Sequence, residues 1–168
     1  MIEISTPIND KTIKELNVGD RIYISGEIIC GRDAVLPKLV DDIKINHGIY
    51  EKHDISGGVI FHTAISVAGL GPTSSNKLEI EESIEYLSKS GIKVHLGKGK
   101  LKDKTIKILE KYNSIYAVIP PVTALLSDKV IEKQLLDYPE LGMEGLYLLK
   151  VDKYPAIVAA AKGRSIYD

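Results

Sequence analysis

Between residues 79 and 119 the chain runs through an amphipathic helical pattern, a short apolar run, a second helical pattern and a second apolar run. This alternation restricts the fold more than any other stretch. Ile80, Ile84 and Leu87 share one face of the first helix, 79–89, while Ile108 and Leu109 mark the second, 104–111. The apolar runs at 92–96 and 115–119 are too short for buried helices and predict strands. Helix-strand-helix-strand order favours parallel strands joined by right-handed crossovers. Further strands are predicted at 21–29, 58–62, 145–151 and 156–160, and further helices from 34 to about 46 and at 122–138, the latter broken near Ser127-Asp128. Asp103 and Ser127 read as N-caps and Gly91 as a helix stop. With both ends of the chain richer in strands than its middle, the expectation is one α/β domain over 1–168 with a mixed sheet.

Composition removes several classes of function. The 22 basic and 23 acidic residues leave a formal net charge of −1, so no basic footprint for nucleic acid or an anionic membrane is expected. No apolar run reaches bilayer-spanning length and no signal-peptide pattern opens the chain, so the expected location is cytoplasmic. Cys30 is the only cysteine and reads as a small buried hydrophobe. It permits no internal disulfide and, alone, no iron–sulfur cluster or Cys-based zinc site. The histidines show no His-x-x-x-His spacing; His62 and His95 read as satisfied core or strand-edge residues, and no metal ligands are predicted. Gly-x-Ser-x-Gly, phosphate-loop and Gly-x-Gly-x-x-Gly motifs are absent from the sequence.

Four segments place polar groups where loops leave apolar runs. Gly71-Pro72-Thr73-Ser74-Ser75-Asn76-Lys77 combines turn formers, hydroxyl donors and a cation ahead of a helical pattern, a combination suited to an anion, although a capped turn has the same composition. Cys30-Gly31-Arg32-Asp33 offers a planar guanidinium fork that matches a carboxylate, with Gly31 read as allowing close approach of backbone to ligand. Its structural alternative is an Arg32–Asp33 surface pair with Asp33 capping the next helix. In Leu96-Gly97-Lys98-Gly99-Lys100 the flanking glycines allow a sharp turn that directs Lys98 toward a ligand, whereas Lys100 and Lys102 read as solvated. The C-terminal segment from Lys162 to Asp168 is expected to dock through Ile166 and Tyr167.

Taken in order, Gly31-Arg32-Asp33, Gly71 to Leu78, Gly97-Lys98-Gly99, Pro120 to Leu126, Leu141-Gly142-Met143 and Gly163 to Tyr167 resemble the β subunit of class I iron–sulfur fumarate hydratases and L(+)-tartrate dehydratases, equivalent to the C-terminal domain of the single-chain enzymes. The resemblance implies a swivelling β/β/α domain, with a mixed sheet or barrel and flanking helices. It implies a cluster-bearing α subunit, in an αβ or α2β2 assembly, that carries the [4Fe–4S] cofactor while this chain binds none. It implies that Arg32, Thr73, Lys77 and Lys98 bind a small dicarboxylate, with Thr73 and Lys98 catalytic. For Thr73 that role is proton transfer at carbon, with hydrogen bonding as the milder alternative.

Adding water beside a carboxylate requires fixed carboxylates and charge stabilisation on an aci-carboxylate-like intermediate, roles that Arg32, Lys77 and Lys98 can fill. The sequence departs from the family pattern in several places. Lys77 stands where the family has Arg, which replaces a bidentate fork with a point charge. The usual His after Arg-Asp falls at Leu36, Thr63-Ala64-Ile65 replaces Ala-Gly-Pro, the connection before Gly71 is short, and Pro120-Pro121-Val122 replaces Pro-Gly-Gly. Two functions follow as expectations: a hydro-lyase β subunit of a divergent kind, or a non-catalytic carboxylate-binding paralogue.

Overall fold

The long strand β2 (Arg21–Cys30) is the spine of the molecule: Ile22, Ile24, Ile28 and Cys30 alternate onto one face and are buried, while Arg21 and Glu27 stay exposed. The computed structural model describes residues 2–48, 53–66, 69–73, 77–119 and 128–168, with side chains for all of these except 64–66, 69–73 and 77–80. Strand β1 (Ile2–Ser5) lies parallel to β2 along 22–25, and β3 (Val59–Phe61) continues the same edge parallel to Ile29 and Cys30. From β3 the sheet proceeds through parallel β6 (Val94–Gly97) and β7 (Ile115–Val118). The 16-residue β9 (Leu146–Ala161) is antiparallel to both β7 and β2 and closes a five-stranded barrel. Closure leaves those five strands with partners on both sides, which removes the exposed edges an open sheet would keep.

The barrel interior follows from strand alternation. Val59 and Phe61, Val94 and Leu96, and Ile115 and Ala117 point inward beside the inward residues of β2. Strand β9 supplies Leu149 and Val151, then Tyr154, Ala156 and Val158, so its inward phase changes from odd to even. The change is a β-bulge. Ile24 pairs with Tyr154 but Gly26 with Val151, which sets Asp152 and Lys153 against Ser25 alone. Lys153 takes φ 51°, and its N–H donates to Ser25 Oγ at 2.9 Å. The sequence predicts two strands here; they are one strand with a phase slip.

Helices α2 (Leu36–Lys44), α3 (Lys77–Lys89) and α4 (Asp103–Lys111) cover the outside, with α3 packed against both neighbours. Leu36, Leu39, Val40 and Ile43 of α2 bury against the outward side chains Ile29 and Ile60. Burial of such a side chain stabilises by about 1.5–3 kcal/mol. Helix α3 ends as expected at Gly91, with φ 108°: Ile92 N–H donates to Leu87 O at 3.0 Å and Gly91 N–H to Ser88 O at 3.1 Å, a Schellman arrangement. A short helix α1 (Asp10–Glu15), capped by Asn9 through Thr12 N–H at 2.8 Å, and a hairpin of β4 (Thr63–Ser66) and β5 (Gly69–Thr73) complete the N-terminal half.

Two expectations are corrected. Residues 130–137 form strand β8 (Val130–Asp137), antiparallel to β9, not the end of a helix; residues 120–127, including Ser127, lie outside those described. Val130, Ile131, Leu135 and Leu136 have helical spacing, but residues 131–135 are exposed in a row and have no apolar stripe to bury. Tertiary pairing with β9 therefore decides the conformation. Asp103 is the first residue of α4, not its cap; the cap position is Lys102, without a side-chain bond of its own. Glu81 of α3 substitutes, accepting from Lys102 N–H at 2.6 Å and Thr105 Oγ1 at 2.8 Å.

Candidate functional site

Hydrogen-bond register sets the geometry of the site. Cys30 is level with Phe61, Phe61 with Leu96, and Leu96 with Ala117. The ladder continues beyond the regular strands through Gly31 N–H to Phe61 O at 3.0 Å and His62 N–H to Leu96 O at 3.1 Å. Two residues past that row come Arg32, Thr63 and Lys98, at the carboxyl ends of three adjacent parallel strands. At about 4.8 Å between strands, the backbones of Arg32 and Lys98 are on the order of 10 Å apart, a span that two long side chains can close onto one small anion. Thr73 joins them because β5 pairs with β4 at Thr63–Thr73. Lys77 opens α3 four residues later; the side chains of Thr73 and Lys77, and residues 74–76, lie outside those described.

The two glycines around Lys98 have separate causes. Gly97 ends β6 beside Tyr116, where an added Cβ would sit 3.2 Å from the hydroxyl oxygen, and Gly99 takes φ 79°. Lys98 is exposed and in no ion pair among the described residues. Gly31 is constrained differently from the sequence expectation: a Cβ there would come 2.6 Å from Val35 Cγ1 and 3.3 Å from Leu146 Cδ1, so it serves close packing under α2 instead of approach to a ligand.

Arg32, a quarter exposed, donates from Nη2 to Glu144 Oε1 at 2.6 Å, and its Nε lies 3.7 Å from Asp33 Oδ1. The expected Arg32–Asp33 pair is thus present but secondary, and Asp33 does not cap α2, whose cap position is Val35 without a side-chain bond. Glu144 ends a 3-10 segment, Pro139–Glu144, that packs against β4. The segment Leu141-Gly142-Met143 that resembles the family pattern ends one residue before Glu144. A lone glutamate after a turn carries no local signal of a partner 112 positions away.

Behind the rim, His62 and His95 are fully buried with ring centroids 5.8 Å apart. His95 Nε2 lies 2.9 Å from Ser88 Oγ, whereas neither ring nitrogen of His62 has a hydrogen-bond partner among the described residues. Burial holds His62 neutral by lowering its pKa to about 4, and burial together with His62 lowers that of His95 as well. Cys30 points into the barrel core, where burial pushes its thiol pKa up. Among the described residues no group of three His, Cys, Asp or Glu side chains could hold a metal ion, and no helix is long and apolar enough to cross a membrane.

A groove of about 520 Å³ lies on the helical face, among Val40, Tyr86 and Ile108, away from the strand ends. Its walls carry Asp41 and Glu82 as well as Lys104, and Lys44 Nζ stacks 4.3 Å above the Tyr86 ring. Mixed charge gives it no preference for an anion, so the strand-end rim is the better site. The C-terminal turn docks through backbone, with β10 (Arg164–Ser165) on β9 and Ile166 N–H donating to Ala159 O at 2.8 Å; the Ile166 and Tyr167 side chains stay about half exposed, contrary to expectation.

A closed mixed barrel with helices outside, and with Arg32 and Lys98 at strand ends on either side of β3, defines an α/β domain whose rim is the candidate site. The chain belongs to the fumarase C-terminus family, whose model matches residues 1–168. It is 30% identical to a Methanocaldococcus jannaschii chain provisionally named L(+)-tartrate dehydratase subunit beta, over 96% of this chain and 88% of that one. It is 26% identical to L(+)-tartrate dehydratase subunit beta of Escherichia coli K12, over 94% and 81%. A Geobacillus stearothermophilus protein provisionally named class I fumarate hydratase matches the whole chain at 28% identity across 34% of its own length.

Proposed function

We propose that this chain is the β subunit of a hydro-lyase that adds water to, or removes it from, a small dicarboxylate of the fumarate/malate or tartrate type. The observation that carries the reading is the register that brings Arg32, Thr63 with its paired Thr73, and Lys98 to one rim. Family membership and the names of the relatives support it. The chain's one cysteine faces the barrel interior, so its residues do not fit a cluster of their own. The [4Fe–4S] cluster belongs in this proposal to a partner α subunit, where it supplies a Lewis acid for the substrate hydroxyl.

This chain fixes the substrate and handles charge. Arg32 pairs one carboxylate by charge-assisted hydrogen bonds, and Lys77 meets the other as a point charge. Lys98 lies where negative charge grows on the carboxylate as the neighbouring C–H proton leaves. Thr73 receives or returns that proton at carbon, or else holds the substrate by a hydrogen bond. In net dehydration the C–H proton, once passed on from the group that takes it, and the hydroxide from the adjacent carbon balance as one water.

The test is to co-purify the chain with its cluster-bearing partner, reconstitute the cluster anaerobically and follow interconversion of fumarate, malate and tartrate. No hydratase activity with an intact cluster would overturn the proposal. A second reading rests on the departures from the family pattern at Lys77, at Leu36 and in the short connection before Gly71. If the chain alone binds a dicarboxylate by calorimetry yet recruits no cluster subunit, it is a non-catalytic carboxylate-binding paralogue.

A further inference from the structure

We infer that Glu144 is a positioning residue for the carboxylate-binding guanidinium of Arg32, an inference that rests on the function proposed above. The contact between Arg32 Nη2 and Glu144 Oε1, at 2.6 Å, joins the end of β2 to the 3-10 segment. Both side chains are a quarter exposed, at the rim and not in the core. A guanidinium has five N–H donors in a rigid plane, so one anchored edge fixes the direction of the whole fork.

The segment that delivers Glu144 is held in an unusual shape. Tyr138, immediately before it, takes φ 58° and ψ 53°, and its hydroxyl donates to Asp42 Oδ2 on α2. Gly142 adopts φ 58° and ψ −126°, a region that side-chain-bearing residues avoid. Added bulk at Gly142 would meet no atom within 4 Å, so the glycine serves this backbone shape and not packing.

Glu144 also uses its carboxylate incompletely. Oε1 holds Arg32, while Oε2 is buried without a hydrogen-bond partner among the described residues. One carboxylate oxygen held 2.6 Å from one guanidinium nitrogen fits a group whose task is to aim Arg32.

The experiment has two arms. In the assembled, cluster-loaded enzyme, Glu144→Ala is expected to raise KM for the dicarboxylate at least about tenfold with a much smaller change in kcat. Glu144→Gln, which keeps an acceptor oxygen, recovers most of that loss. An unchanged KM in Glu144→Ala, or equal damage in both variants, would overturn the inference while leaving the hydro-lyase intact. The second arm needs no activity: the sequence has three arginines, Arg21, Arg32 and Arg164, so ¹⁵N spectra of the full chain identify the Arg32 signal by its loss in Arg32→Lys. Arrested rotation of the Arg32 guanidinium in wild type and Glu144→Gln, released in Glu144→Ala, supports positioning. If wild type shows no hydratase activity, the proposed function fails, and this arm judges Glu144 by itself: a guanidinium equally ordered in Glu144→Ala sinks the inference.

Discussion

His62 and His95 stand side by side in the wall behind the rim, and among the described residues only His95 has a hydrogen-bond partner, Ser88. A charged imidazole there would lose its hydration with nothing to replace it, so the folded chain keeps His62 neutral down to about pH 4, against an ordinary value of 6.5. The unfolded chain takes up a proton as pH falls through 6.5 and the folded chain does not until about 4. Unfolded molecules bind more protons throughout that window, so stability falls as pH falls, by up to about 3 kcal/mol from this site, and His95 acts in the same direction. Urea unfolding at pH 7 and pH 4.5 measures the loss. His62→Leu is expected to lose distinctly less between those two values, and an identical pH dependence in the variant would show that the ring is not the cause. Both histidines are buried core residues, as the sequence predicts, but of the two expected to be satisfied only His95 is so among the described residues, because Ser88 of α3 lies over its ring.

Among the elements, α4 shows how a local signal can name the wrong residue. Asp103 has the chemistry of an N-cap and sits one position too late, while Glu81, 21 residues before Lys102, bonds both Lys102 N–H and the Thr105 hydroxyl. A carboxylate in that place also meets the positive end of the helix dipole. Glu81→Ala is therefore expected to lower stability by about 2 kcal/mol, and Asp103→Ala by only a few tenths, with denaturant midpoints as the measurement. Comparable losses would return the cap to Asp103. Strand β9 gives the complementary lesson. Its apolar phase breaks at Asp152 and Lys153, which reads locally as two strands, and only the facing Ser25 of β2 turns the break into a bulge. Strand β8 had apolar spacing compatible with a helix, and its pairing with β9 overrode that spacing.

For the whole molecule, the proposed site exists because the barrel aligns strand ends that are far apart in sequence. Arg32→Ala and Lys98→Ala are each expected to reduce dicarboxylate turnover at least tenfold, equivalent to roughly 1.4 kcal/mol of transition-state stabilisation, with little change in melting temperature. Lys102→Ala, whose exposed side chain lies beyond the rim and whose backbone N–H still reaches Glu81, serves as the control with unchanged turnover. Parallel losses of folding and activity at Arg32 and Lys98 would make both structural. By itself the sequence determined what local periodicity and steric preference can encode: helices α2 to α4, the apolar runs that form β2, β3, β6 and β7, the stop at Gly91, and the ordered segments that mark the family. Tertiary structure alone decided that β9 closes the sheet on β2, that Arg32, Thr63 and Lys98 share one level, and that Arg32 meets Glu144. Interstrand register is fixed by hydrogen bonds between segments distant along the chain, and such pairings leave no mark in the spacing of neighbouring residues.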